Sequence, residues 1–153
     1  AVAVTRVDAP RLPLSGAADP AAFKLFTVDV GLLGALSGLA PATVLDGHRL
    51  FMEFRGALTE QFAAMELRAT LGQDLYYWTN MGGTAEVDFV VQRDNDVVPI
   101  EVKAGRNLKS QSLRVYREKY APDLTVRASL APYVRTAHLV DLPLYALATL
   151  PRL

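Results

Sequence analysis

Two alternating runs, Glu86 to Gln92 and Val97 to Lys103, flank the dipeptide Asp94-Asn95, and their pairing dictates what any surrounding sheet must accommodate. Short polar residues tolerate the backbone of a tight hairpin turn. With Asp94 and Asn95 as the two loop residues, Arg93 pairs with Asp96, Asp88 lies opposite Glu101, and Glu86 lies opposite Lys103. A symmetric four-residue loop keeps this pairing, whereas a bulge breaks it. Period two then predicts Glu86, Asp88, Glu101 and Lys103 on one face, and Val87, Phe89, Val91, Ile100 and Val102 on the other. Two carboxylates thus face each other, an arrangement that destabilises a strand pair by up to about 1 kcal/mol. Two readings fit. Either a divalent cation or Lys103 neutralises the pair, or the face is a solvated charge ladder balanced by Lys103 and Arg93.

The flanking elements follow from periodicity and stop signals. Leu50 to Leu71 reads as the longest helix, with Phe51, Phe54, Leu58, Phe62 and Met65 three and four apart and Gly72 as its stop. Leu75 to Thr79 reads as a strand, followed by a turn at Asn80 to Gly83 and the hairpin, which makes a three-stranded meander. Leu108 to Tyr120 reads as a helix, and Thr125 to Leu130 and His138 to Val140 as further strands. A helix, three antiparallel strands, a crossover helix and more strand predict an α/β sandwich with a central mixed sheet flanked by helices. Upstream, Phe23 to Val30 reads as a strand and Gly31 to Leu39 as a short apolar helix closed by Gly38 and Pro41. Residues 1–18, with Pro10, Pro13, Ser15 and Gly16, read as a linker, residues 19–47 as an adaptor, and 48–153 as the main domain. A first residue of Ala1 after no methionine suggests a piece excised from a longer chain.

A chain of 153 residues, 51% hydrophobic, suffices for one buried core. No apolar run approaches the ~18 to 20 residues of a membrane helix, and the secretion-signal pattern is lacking, so a cytoplasmic chain with no membrane partner is expected. Zero cysteines exclude disulfides and thiolate metal sites, and His48 and His138 stand 90 residues apart with no second histidine near either. Any metal would therefore be held by carboxylates, which favours magnesium or manganese over zinc. No G-x-x-x-x-G-K-[ST] occurs, so this segment lacks a phosphate-cradling loop of that kind.

The chain is formally neutral, but six basic residues (Lys103, Arg106, Lys109, Arg114, Arg117 and Lys119) and one acid (Glu118) fall between positions 103 and 119. That window is either a phosphate-binding stripe or a solvated helix face. On the long helix, the neighbours of Glu60 at three and four positions are Gly56, Ala57, Ala63 and Ala64, all small, which permits close approach to a packing partner. Glu60 is then either a carboxylate meeting a site or an ordinary exposed glutamate. Tyr76, Tyr77 and Trp78 fit core packing more readily than a base-stacking platform.

The Glu86-Val87-Asp88-Phe89 and Pro99-Ile100-Glu101-Val102-Lys103 strands, preceded by a helix with a central glutamate, resemble the PD-(D/E)XK nuclease superfamily. More specifically, the chain is similar to a domain of unknown function at the C-terminus of bacterial and archaeal AAA+ ATPases. The matching segments are Phe23-Lys24-Leu25-Phe26, Asp29 to Leu33, Gly56 with Glu60, Leu75 to Trp78, Ala85 to Phe89, Pro99 to Gly105, and Lys109-Ser110 with Ser112-Leu113.

The resemblance implies a restriction-endonuclease-like fold, attachment to an ATPase portion on the N-terminal side, and a DNA partner. It implies Asp88 and Glu101 as ligands of Mg2+ or Mn2+, the Val102 carbonyl as a third, and Glu60 as a helix-borne ligand or a water-mediated contact. Lys103 would position or polarise the attacking water. Arg106, Lys109, Ser110, Ser112, Arg114 and Arg117 would face the nucleic-acid backbone. The proline that names the motif is replaced here by Val87. The implied activity is metal-dependent phosphodiester hydrolysis; the alternative is a catalytically idle module that binds nucleic acid or protein.

Overall fold

In the computed structural model, which describes residues 1–40, 42–43, 49–105 and 109–153 (49–53 as backbone alone), Asp94 takes a left-handed backbone with φ of 52°. Around it β4 (Glu86–Arg93) and β5 (Asp96–Val102) pair antiparallel in the expected register, from Arg93 with Asp96 to Phe89 with Ile100. The other elements are β1 (Val2–Val7), β2 (Ala18–Phe26), α1 (Val30–Leu36), α2 (Arg49–Leu71) and β3 (Leu75–Thr79). After β5 come α3 (Gln111–Tyr120), β6 (Thr125–Ser129), β7 (Val134–Arg135) and β8 (Leu139–Pro143). One-turn and longer 3-10 helices cover Leu14–Ala17 and Leu144–Arg152.

The strands form one sheet in the order β2-β1-β3-β4-β5-β6-β8-β7. It is mixed: β1 runs parallel to β3, and β5, β6 and β8 run parallel to one another, while the other neighbours are antiparallel. Among the described residues no helix is long and apolar enough to cross a membrane.

Helices cover both faces. On one side, Ala63, Ala64 and Leu67 of α2, with Leu147 and Leu150 of the C-terminal 3-10 helix, pack on Phe89, Val91, Val98 and Ile100. On the other, Leu113 and Tyr116 of α3 pack on Trp78, Val87 and Val90. The buried side of α2 thus takes in Ala63 and Ala64 of the small residues flanking Glu60, whereas Gly56 is half-buried and Ala57 exposed. Phe54, Leu58, Phe62 and Met65 are only half-buried, and the side chain of Phe51 lies outside the described residues. Alanines without bulk let the α2 backbone sit close to the sheet, and this closeness brings Glu60 within reach of the strands. Tyr76, Tyr77 and Trp78 are buried, as core residues.

Three expectations are corrected. Residues 1–18, read as a linker from their prolines, contain β1, which lies inside the sheet between β2 and β3 and buries Val4 and Val7 completely. The strand read from Phe23 to Val30 ends at Phe26, because the Asp29 side chain accepts a hydrogen bond from the Leu32 N–H (3.0 Å) and starts α1 at Val30. Finally, Val87 packs with Val90 beneath α3, and not with Phe89 and Val91 beneath α2. Its cause is a bulge against β3. Tyr76 pairs with Val90 and Trp78 with Val87, so two residues of β4, Asp88 and Phe89, oppose Tyr77 alone, and the alternation slips by one. His48, Pro41, Leu108 and the adaptor boundary at 47 and 48 lie outside the described residues. The adaptor is bound to the rest through Gln61, whose buried amide accepts from the Thr27 N–H (2.9 Å) and donates to the Thr27 carbonyl (2.6 Å).

Candidate active site

The β4–β5 ladder stops at Phe89 and Ile100, and the two strands separate beyond it. From there β5 pairs with β6 alone, Glu101 beside Arg127 and Val102 beside Ala128, and the Lys103 N–H donates to the Ala128 carbonyl (2.8 Å). Asp88 stands in the gap. Its carboxylate accepts the hydrogen bond from the Val102 N–H (2.7 Å), replacing the main-chain acceptor that a continued ladder would have supplied. The expected register holds only up to Phe89 and Ile100; Asp88 and Glu101 do not form a ladder pair, nor do Glu86 and Lys103, and the contact between strands is instead a side chain on a backbone amide.

Glu101 is buried, with its side chain 6% exposed. One carboxylate oxygen meets the Lys103 ammonium at 2.5 Å. The other, Oε2, is buried without a hydrogen-bond partner, a condition that ordinarily costs about 1 to 3 kcal/mol or more for a charged group. Burial pushes the Asp88 carboxyl up to about 7, and Glu60 and Glu101 add to this against the Val102 hydrogen bond and the attraction of Lys24. Burial also raises Glu60, as does Glu86, while Lys24 and Lys103 oppose the rise. Glu60 of α2 is thus electrostatically coupled to Asp88 and Lys103 on the sheet.

Asp88 and Glu101 are the side chains suited to hold a divalent cation directly. Among the described residues no three Asp, Glu or His side chains close into a ready ligand set, so Glu60 does not complete a protein cage as arranged. Magnesium commonly keeps several waters and takes only one or two carboxylates, so the hard-oxygen pair and the unpartnered Glu101 Oε2 fit such an ion.

The residues expected to face nucleic acid are distributed around α3. Ser112 accepts a hydrogen bond from the Glu86 N–H (3.2 Å), which ties the start of α3 to the start of β4. The Ser110 hydroxyl is buried without a partner, and Lys109 is exposed. Arg114 is exposed and lies 3.8 Å from Glu118; with Arg117, Asp123 and His138 it lines an open pocket. Arg114 and Arg117 follow Ser112 by roughly 3 and 8 Å along the helix axis. Arg106 lies outside the described residues.

Two features were not read from sequence. Lys24 pairs with Glu86 from the far side of β1, and no local pattern announces a contact made across two intervening strands. Arg127 and Asp141, paired at 2.6 Å on β6 and β8, sit in register beside Glu101 and are largely buried. A charged residue inside each short apolar strand was the available signal.

A family model described as Domain of unknown function (DUF4143) matches residues 55–147. No curated protein and no solved structure matches the chain.

Proposed function

Because this chain belongs to the Domain of unknown function (DUF4143) family, whose description names no chemistry, we propose its function from the site: magnesium- or manganese-dependent hydrolysis of phosphodiester bonds in DNA. In this reading the chain is a restriction-endonuclease-like domain at the C-terminal end of an AAA+ ATPase. The order α2, β3, β4, β5, α3, β6, with β6 parallel to β5, supports the fold assignment. The observation that carries the function is the opened end of β4 and β5. There a half-buried aspartate accepts from the Val102 N–H, and a buried glutamate with one unpartnered oxygen pairs with a lysine.

Asp88 and Glu101 would hold the ion, with Glu60 acting through water. A bound divalent cation supplies Lewis-acid polarisation of the phosphate and lowers the pKa of a coordinated water. Lys103 orients the attacking water and offsets the charge growing on the phosphate oxygens. Water oxygen bonds to phosphorus, the bond to the departing sugar oxygen breaks, and that oxygen gains a proton. The basic face of α3 holds the backbone by charge, giving binding with little sequence preference.

One observation favours a second reading, an idle module that binds nucleic acid or protein: the Lys103 ammonium is already committed to Glu101. Cleavage of labelled single- and double-stranded DNA, with magnesium, manganese or chelator, decides between them. The hydrolase reading expects metal-dependent cleavage that Lys103→Ala abolishes while manganese binding persists, since lysine is not a ligand. Cleavage in chelator, or unchanged in Lys103→Ala, refutes it; salt-sensitive binding without cleavage selects the idle module.

A further inference from the structure

β2 is an edge strand, separated from β4 by β1 and β3. Its residues alternate: Phe23 and Leu25 are 54% and 66% exposed, whereas Phe26 turns inward, its ring centroid 5.9 Å from that of Phe89 and tilted by 41°. Lys24 shares the side of Phe26. Its ammonium lies 5.0 Å from the Tyr77 ring centroid and forms an ion pair with Glu86 at the start of β4. Three strand spacings separate β2 from β4, roughly 14 Å, so both side chains stretch over the sheet face to meet.

An exposed lysine–glutamate pair contributes little to stability. This one differs in two respects. The Lys24 side chain is only 27% exposed and lies against an aromatic face. It also lies within electrostatic reach of several carboxylates, Glu86 in contact and Glu60 and Asp88 farther off. Burial works to lower its pKa, yet the hydrogen bond and charge of Glu86, together with Glu60 and Asp88, leave it raised. Lys103, the other ammonium of the cluster, is engaged with Glu101. Glu86 pairs with Lys24 directly, Asp88 is attracted by Lys24, and Glu60 is attracted by Lys24 and, less strongly, by Lys103.

We propose that Lys24 is the resident counter-cation of the acidic site, a positioning residue supplied by the edge strand that holds Glu60, Glu86 and Asp88 together. It makes the N-terminal hairpin a working part of the site. This inference rests on reading the acidic cluster as the functional site, but its test requires neither metal nor DNA.

The test is a double-mutant cycle read by thermal melts at pH 8 in chelator. Lys24→Met is made in the parent protein and in a Glu60→Gln/Asp88→Asn background, with Lys24→Arg as the charge-retaining control. In the parent, Lys24→Met should lower Tm by about 3 °C or more, and Lys24→Arg should recover most of that loss. In the neutralised background the loss should shrink to less than half. If Lys24→Met fails to fold in the parent but folds in the neutralised background, the coupling is supported even more directly. An equal loss in both backgrounds, no loss in the parent, or misfolding in both would overturn the proposal and reduce Lys24 to a partner of Glu86 alone. Absence of cleavage or of manganese binding bears only on the hydrolase reading, because the melts contain neither ion nor substrate.

Discussion

Asp88 has two roles that pull in opposite directions. Its carboxylate satisfies the Val102 N–H, and the same burial and neighbouring acids push its pKa to about 7. In the unfolded chain an aspartate releases its proton near pH 3.9, so between about pH 4 and 7 the folded state binds the extra proton. The contribution of Asp88 to stability therefore falls as pH rises through that window and is lowest above it. Asp88→Asn keeps an acceptor for Val102 and removes the penalty. In chelator above pH 7 the variant should exceed the parent by on the order of 1 kcal/mol, seen as a Tm higher by roughly 2 to 4 °C. The gap should close as pH falls toward 4. Magnesium or manganese should reverse the ranking, since the intact pair alone gains binding free energy from the ion. A variant less stable than the parent in chelator at pH 8 would mean that the carboxylates of this face are not in conflict. Asp88, Glu101 and Lys103 could be singled out because a two-residue turn sets the register, which the ladder keeps up to Phe89 and Ile100, one residue short of Asp88 and Glu101. Lys24 could not, because its partner is fixed by sheet order.

At the level of elements, the bulge in β4 and the alanine face of α2 act together. The bulge slips the alternation at Asp88 and Phe89, and Ala63 and Ala64 let Glu60 approach that same stretch. Of the four small positions legible around Glu60, Ala63 and Ala64 form the packing face, while Gly56 is half-buried and Ala57 is exposed. The bulge was not legible, since nothing between Glu86 and Val91 marks a doubled residue and its cause lies in the pairing with β3. For α3, the basic spacing was legible, while the use of Ser112 to anchor β4 depended on tertiary contact. If Arg114 and Arg117 hold phosphates, replacing both with alanine should weaken DNA binding at every sequence alike. It should also lower the slope of log affinity against log salt by about 2. Fluorescence anisotropy on a labelled duplex across a salt series measures both; an unchanged slope would free this helix of any role in binding.

Across the whole molecule, the division into linker, adaptor and main domain gives way to a continuous sheet. Composition suggested the division because Pro10, Pro13 and Gly16 are turn formers, but they lie after β1, in the connection to β2. Val2–Val7 was too short and too mildly patterned to stand out beside them. A fragment beginning at residue 49 would lose β1 and β2, expose the flank of β3, and leave Thr27 absent from Gln61. Such a fragment should show no cooperative melting transition, whereas removal of Ala1 alone should leave the transition unchanged; circular dichroism on heating distinguishes them. The parallel pairing of β1 with β3, Val4 beside Leu75 and Val7 beside Trp78, also orders events during synthesis. The first hairpin leaves the ribosome with one flank unsatisfied, and it must wait for the adaptor and all of α2 before its partner exists. Through that interval its open flank can pair with the same strand of a neighbouring nascent chain. Crowded translation is therefore a condition under which this fold is open to misassembly.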